Sequence, residues 1–225
     1  MTKGYYIKKL AGKRLQKCYE IASPRIQQYL EAEIQFVLEH VNTTHQVLEI
    51  GCGYGRVLAR LATKADQVYG IDTSQESLRY AQFFLQQSPN IHLFNMNARS
   101  LNFKEQAFDV TIAIQNAISA FKIDPFELIS HCVKVTKCNG KVLLSSYSEK
   151  IWDARLDWFI QQANEGLLGD IDLEKTGKGI IVGKDGFKAT TFSQRDFNDL
   201  ITKMDLDSEI IEIDESSIFC VITSK

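Results

Sequence analysis

The chain has 225 residues, 44% of them apolar and 24% charged, with a formal net charge of −2. That composition excludes collagen-like, disordered and disulfide-scaffold classes, and the near-neutral balance argues against an overall polyanion-binding field. No apolar run reaches the ~18–20 residues of a membrane-spanning helix, and residues 1–9 lack the apolar core of a secretory leader. The five cysteines (Cys18, Cys52, Cys132, Cys138, Cys220) are odd in number and form no C-x-x-C pair. They imply a reduced, cytoplasmic thiol set and no metal centre.

Charge is uneven along the chain. Residues 1–25 carry seven Lys/Arg against Glu20 alone, and residues 204–224 carry six acids and no Lys or Arg. Two solvated faces that attract each other account for this; a basic arm meeting an anionic ligand is the sharper alternative. From Tyr19 to Val41 the pattern is helical, with Ser23-Pro24 as cap and first-turn proline and Ile26, Leu30, Ile34, Val37 and Val41 on one stripe. The period then changes. Gln46–Ile50 predicts a buried strand, followed by the glycine loop 51–55 and a helix from Arg56 to about Thr63. Gln67–Asp72 is a second strand, and Ser74 caps a helix to about Gln87. Ile91–Asn95 and Asp109–Gln115 are the third and fourth strands. Asp124-Pro125 opens a helix to about Lys137, Asn139-Gly140 is a turn, and Lys141–Ser146 is a fifth strand. Strands alternating with helices of this length imply a parallel sheet covered on both faces.

The last third differs. Ile151–Asn164 predicts an amphipathic helix with Trp152, Leu156 and Phe159 on one side. The runs 180–182 and 187–191, split by Gly183–Gly186, predict a hairpin. Ser193 caps a helix to about Met204, and Ser208–Ile213 and Ile218–Ile222 form an antiparallel pair. The expected architecture is a single α/β domain over 1–225: a Rossmann-like doubly wound sheet, mostly parallel, with an antiparallel C-terminal strand. Residues 1–45 form an N-terminal helical cover, 46–147 a ligand-binding core, 148–192 a hairpin insert over the substrate, and 193–225 the final helix and strand pair.

The segment Val47-Leu-Glu-Ile-Gly-Cys-Gly-Tyr-Gly55 carries the chemistry. Glycines at 51, 53 and 55 let a ligand lie against the backbone and permit positive φ in a tight turn, and the helix that follows presents free amides. Asp72 ends the next strand 17 residues after Gly55, where a carboxylate accepts from ribose hydroxyls. The dinucleotide fingerprint G-x-G-x-x-G fails here because its third glycine falls on Arg56, and no Walker Gly-Lys-Ser/Thr follows. Glu49 would repel a pyrophosphate and suit a ligand bearing an ammonium group.

Glu49–Gly55, Tyr69-Gly-Ile-Asp72, Asn97-Ala98, Phe108-Asp-Val and Cys138-Asn-Gly-Lys-Val, in that order over about 46–147, resemble the class I S-adenosylmethionine-dependent methyltransferases, nearest to the small-molecule branch. The resemblance implies that Glu49, Gly51, Cys52 and Gly53 surround the methionyl part of the cofactor. It places Asp72 on the ribose, Thr73 beside the adenine, Asn97 on the adenine amino group, Ala98 with a backbone amide to the ring, and Gln115 facing the methionyl group. Asn97 departs from the family's usual Asp; its amide oxygen still accepts a hydrogen bond. Cys52 is a small filler and not a nucleophile.

Methyl transfer is an in-line displacement that needs alignment and water exclusion, and a base only for some acceptors. The strand ends offer Asn116, Tyr147 and Glu149 for acceptor orientation or proton removal. Tyr5, Tyr6, Tyr19, Asn116, Ser119, Trp152 and Phe187 are the expected acceptor contacts, in a cover that cofactor and acceptor order. His131 is expected in solvent. The expected activity is transfer of a methyl group from S-adenosylmethionine to N, O or S of a small molecule, with S-adenosylhomocysteine as product, by a monomer or homodimer. An RNA methyltransferase using the basic arm, a nicotinamide-dependent oxidoreductase and a non-catalytic S-adenosylmethionine-binding domain are the alternatives. Nucleic acid is disfavoured because no Asn/Asp-Pro-Pro-aromatic motif follows the fourth strand.

Overall fold

The computed structural model describes residues 9–225. Its framework is a seven-stranded sheet with helices on both faces. The elements run α1 (Lys13–Glu20), α2 (Pro24–Glu39), β1 (Gln46–Ile50), α3 (Arg56–Leu61), β2 (Gln67–Asp72), α4 (Gln75–Phe84), β3 (Ile91–Asn95) and β4 (Phe108–Ala113). They continue through α5 (Ala117–Ala120), α6 (Pro125–Val135), β5 (Thr136–Tyr147), a 3-10 turn (Glu149–Ile151) and α7 (Trp152–Asn164). The last elements are β6 (Ile181–Val182), β7 (Lys188–Ala189), α8 (Gln194–Met204), β8 (Ser208–Ile213) and β9 (Ser217–Thr223). Spatial order is β3-β2-β1-β4-β5-β9-β8. The first five strands are parallel, and β9 lies antiparallel between β5 and β8.

Alternating side chains of each central strand feed two cores, which explains why these strands read as continuous apolar runs. Leu48, Ile50, Val142 and Leu144 pack with Leu128, Ile129, Phe197 and Leu200 of α6 and α8. Val47, Val110, Ile112 and Leu143 pack with Ile34, Val37, Leu58 and Leu78 of α2, α3 and α4. Ser23, Ser74, Asp124 and Ser193 cap their helices through side-chain oxygens as expected.

Three local expectations change. The N-terminal helical stretch is broken between Glu20 and Pro24, because proline at the first turn starts a new helix there. Asn139-Gly140 does not interrupt a strand: Asn139 takes φ 63° inside the continuous β5, at a register shift against β4. The fourth strand ends at Ala113, so Gln115 and Asn116 lie beyond it, with left-handed φ of 57° and 62°.

A third apolar cluster joins the N-terminal helices to the insert: Cys18, Ile26, Tyr29 and Leu30 pack with Tyr147, Trp158, Phe159, Phe187 and Ile181. The Trp158 indole N–H donates to the Cys18 carbonyl at 2.8 Å. Arg14 donates to the carbonyls of Gly166 and Leu167 at 2.7 and 3.2 Å. Three cations of the basic arm are therefore engaged with the rest of the protein. Lys9 pairs with Asp185 at 2.6 Å, and Arg25 reaches the acidic C-terminal region through Asp214 at 2.7 Å. Trp158→Phe removes the indole bond and should cost about 0.5–1.5 kcal/mol. Hydrogen exchange should quicken in α1 and stay unchanged in β1–β5.

Candidate functional site

β1 and β4 are neighbours, but the chain leaves them in opposite directions across the sheet. This opens a crevice at their C-terminal ends, where doubly wound sheets bind ligands. The glycine loop leaves β1 on one side, and Gln115–Asn116 leaves β4 on the other.

The loop's amides are largely consumed. Gly51 and Cys52 N–H both donate to the Ile71 carbonyl at 2.8 and 3.0 Å, and Gly55 N–H to Cys52 at 2.9 Å. Gly53 N–H donates to the Asp72 carboxylate at 2.9 Å. The following helix α3 has only six residues. This loop is not a phosphate cradle. Gly51 and Gly53 have φ of 82° and 54°. A Cβ on Gly51 would lie 2.6 Å from the Phe121 ring, and one on Gly53 2.8 Å from Leu15 of α1. Glycine is required here both by conformation and because those two side chains rest on the loop. The Cys52 side chain is turned into the core against Gly70, and burial raises its thiol pKa well above the usual range. Only its backbone can face a ligand.

Asp72 accepts from Gly53 N–H through one oxygen and from Ser74 N–H, at 2.7 Å, through the other. It thus clamps the glycine loop to the start of α4. Burial pushes its carboxyl above the ordinary value, against these backbone bonds. Thr73 is exposed beside it. Asn97 is exposed, and its amide oxygen accepts from Arg99 N–H at 2.9 Å in a local turn. Ala98 is buried. Its carbonyl accepts from His131 Nδ1 at 3.0 Å, so His131 is half-buried behind this turn and not in solvent.

The centre of the crevice holds polar atoms that are buried and unpaired: Glu49 Oε2, Arg56 Nε and Nη2, and Gln115 Nε2. Burial drives Glu49 up to about 8, with Arg56 drawing it back and Asp72 pushing it further. Arg56 stacks over the Tyr19 ring at 4.7 Å. The Tyr19 hydroxyl donates to Gln115 Oε1 at 3.1 Å. Buried polar groups are ordinarily hydrogen-bonded. A carboxyl, a guanidinium and an amide with unpaired atoms are the groups an amino-acid zwitterion would meet: ammonium on Glu49, which then gives up its proton, and carboxylate on Arg56.

The structure brings together Glu49, Gly51, Gly53, Asp72, Gln115 and Tyr19. It separates others. Asn116 is buried, its Nδ2 donating to Thr190 O and its Oδ1 accepting from Ser146, both at 2.8 Å. It ties the β4 end to the insert instead of presenting a reactive group. Tyr147 is buried between Tyr29, at 5.3 Å, and the Arg155 guanidinium, at 4.1 Å. Burial raises its phenol pKa, only partly opposed by Arg155, so it remains protonated and does not remove protons. Glu149 is solvent-exposed, and no hydrogen bond or ion pair joins it to the crevice among the described residues. It is corrected to a surface residue. Phe187 is 2% exposed within the insert's core, 5.7 Å from Phe159, so it packs the insert and does not line a pocket. Ser119 and Trp152 are half-buried. Tyr5 and Tyr6 lie outside the described residues.

Sequence reasoning missed Arg56 and Glu33. Arg56 follows the glycine loop directly, where a cation stands out beside Glu49. Glu33 is an acid on the buried stripe of α2 between Leu30 and Ile34, a position where apolar residues are the rule.

The sheet order, the spent loop amides and the clamp by Asp72 define an α/β protein with a strand-end crevice and no phosphate cradle. Residues 47–140 match the family model of the methyltransferase domain. The ubiquinone biosynthesis O-methyltransferase of Albidiferax ferrireducens is 30% identical over 104 residues, 45% of this chain and 40% of that protein. The crystal structure of the PH0226 protein from Pyrococcus horikoshii OT3 has TM-score 0.64 at 20% identity, over 90% of this chain and 92% of that one. The N-methyltransferase NodS from Bradyrhizobium japonicum WM9, in complex with S-adenosyl-L-homocysteine, has TM-score 0.59 at 15% identity, covering 96% and 95%. Matches to the curated relatives cover only 40–51% of their lengths. Residues 47–140 thus resemble a methyltransferase domain, and the chain shares the fold of solved S-adenosylmethionine-dependent methyltransferases.

Glu33 and Glu49 have folded-state pKa values of about 7 and about 8, each raised by burial. Unfolding lets both release protons above the ordinary carboxylate value of about 4.3. The native state therefore holds more protons than the unfolded state between about pH 5 and 8, and stability falls as pH rises through that window. Calorimetry without cofactor should give a Tm at pH 8.5 at least about 4 °C below that at pH 5.5. Glu49→Gln should flatten the upper part of the decline.

Proposed function

We propose that this protein is an enzyme that transfers the methyl group of S-adenosylmethionine to an N, O or S atom of a small molecule. One observation carries the reading: unpaired Glu49, Arg56 and Gln115 atoms stand together at the switch point beside Asp72. The bound cofactor supplies an electrophilic methyl on a sulfonium. Glu49 takes its ammonium, Arg56 its carboxylate and Asp72 its ribose hydroxyls. The Gln115 amide, fixed by Tyr19, faces the methionyl chain. A ligand lying along Gly51 and Gly53 displaces Phe121 and Leu15, so α1 shifts when it binds.

Residues 1–45 and 148–192 are the proposed acceptor cover; within it α1 and α2 pack on the insert through the Cys18–Trp158 bond and a shared aromatic core. Tyr19, Trp152 and Ser119 are its candidate contacts, and Tyr147 packs its core. A base-free displacement suits this site, because Glu33 is engaged by Gln115 and Ser217, Glu49 is given to the ammonium, and Glu149 is on the surface. An acceptor that arrives with a free lone pair, an amine or an ionised thiol, fits best. No helix of the described residues is long and apolar enough to cross a membrane. Five unpaired thiols suit a reducing cytoplasm. RNA is disfavoured because Lys9, Arg14 and Arg25 are engaged within the protein.

Titration calorimetry with S-adenosylhomocysteine should show binding, and NAD none. Asp72→Asn should weaken it by about 1–3 kcal/mol, the scale of a hydrogen bond to a charged group. The ammonium pulls Glu49 below its free value of about 8, so binding at pH 7 should release a proton, seen as a dependence of the heat on buffer ionisation. Absence of heat with either sulfur ligand would sink the proposal. A metabolite extract incubated with isotopically labelled methyl donor, read by mass spectrometry, identifies the acceptor.

A further inference from the structure

We propose that Glu33, on the N-terminal helix α2, is a positioning residue for the cofactor crevice: its ionised carboxylate holds Gln115–Asn116 in their left-handed backbone, and its protonation releases them. The inference rests on the cofactor reading given above and adds a control element to it.

Glu33 is 0% exposed. Its Oε2 accepts from Gln115 N–H at 3.0 Å. That N–H is shared with Ser145 Oγ of β5 at 2.8 Å. Its Oε1 accepts from the Ser217 hydroxyl at the start of β9. One carboxylate thus binds the cover helix, the end of β4 and the C-terminal strand at a single point. What it holds is strained: two successive non-glycine residues at φ 57° and 62°, a conformation L-residues avoid. The strain serves a purpose here, because it turns the Gln115 side chain to the Tyr19 hydroxyl and into the crevice, and sets Asn116 between Ser146 and Thr190.

A carboxylate is acceptor-only when ionised and loses acceptor capacity when protonated. The titratable and charged groups that face Glu33 are Tyr29, one turn earlier on α2, Tyr147 at the end of β5, and Arg56 at the start of α3. Only Arg56 is charged at neutral pH. Burial pushes Glu33 up, and Ser217, Ser145, the Gln115 amide and Arg56 draw it back to about 7. The hold on Gln115 therefore tightens as pH rises through neutrality.

The test follows the backbone amide of Gln115 by NMR in the full 15N-labelled chain between pH 5.5 and 9. The wild type should show one transition near pH 7. Glu33→Gln should abolish it. Ser217→Ala, which removes a donor to the ionised form, should move the midpoint to higher pH. It carries the test alone if Glu33→Gln does not fold. A Gln115 transition that persists in Glu33→Gln, or one with an unchanged midpoint in Ser217→Ala, would overturn the proposal. The functional arm uses S-adenosylhomocysteine as probe. Glu33→Gln should bind it about tenfold more weakly than wild type at pH 8, a loss of about 1.4 kcal/mol, with the gap closing at pH 5.5. Equal loss at both pH values would mark a merely structural role and overturn it. If the probe perturbs no amide while the Gln115 transition is intact, the cofactor reading fails and the Glu33–Gln115 link stands.

Discussion

A carboxylate removed from water must be given donors or take up a proton. Three carboxylates stand buried or nearly so around one edge of this sheet, and each meets that demand differently. Asp72 takes two backbone N–H groups and, in doing so, fixes the turn that joins β1 to α3 and β2 to α4. Glu33 takes a backbone N–H from just beyond β4 and a hydroxyl from β9. Glu49 keeps one oxygen unpaired and stays largely protonated at neutral pH. The first two solutions build the crevice, and the third leaves it receptive to a cation. Arg56, also unpaired, gives the same site its opposite pole.

The sheet was legible because burial on both faces forces apolar runs of strand length, and because the serine caps and Asp124-Pro125 punctuate the helices. The glycine loop and Asp72 were legible because both answer to backbone geometry. Glu33 was not, since nothing in a helical stripe tells whether an acid on it faces solvent or finds partners from strands more than 80 residues away. Tyr147, Glu149 and Phe187 were misjudged for a related reason: position at a strand end or in the insert fixes a neighbourhood but not a direction. Phe187 turns into the insert's own core, and Glu149 falls on the outer side of a 3-10 turn.

The asymmetry of charge between the chain's two ends also takes a physical meaning. Arg25 reaches Asp214 through a carboxylate oxygen and the backbone carbonyl, both at 2.7 Å. Gln28 and Ser216 bond the same carboxylate. The cover helix is thereby registered against the β8–β9 turn, only a few residues from the Ser217–Glu33 contact. Electrostatics at the surface and hydrogen bonding within act on the same junction, so α2 is aligned along its length and not pinned at one point.

The insertion of β9 between β5 and β8 bears on how the protein is made. During synthesis, the parallel strands β1 to β5 can pair once residue 147 has emerged. At that stage Glu33 still lacks its Ser217 partner and Asn116 its Thr190 partner, and β5 has no neighbour on its outer edge until β9 arrives. The core can therefore condense well before the crevice acquires its final shape. A ribosome-bound chain stopped before β9 would carry the glycine loop and every expected cofactor contact, yet lack the Ser217 hydroxyl that steadies Glu33.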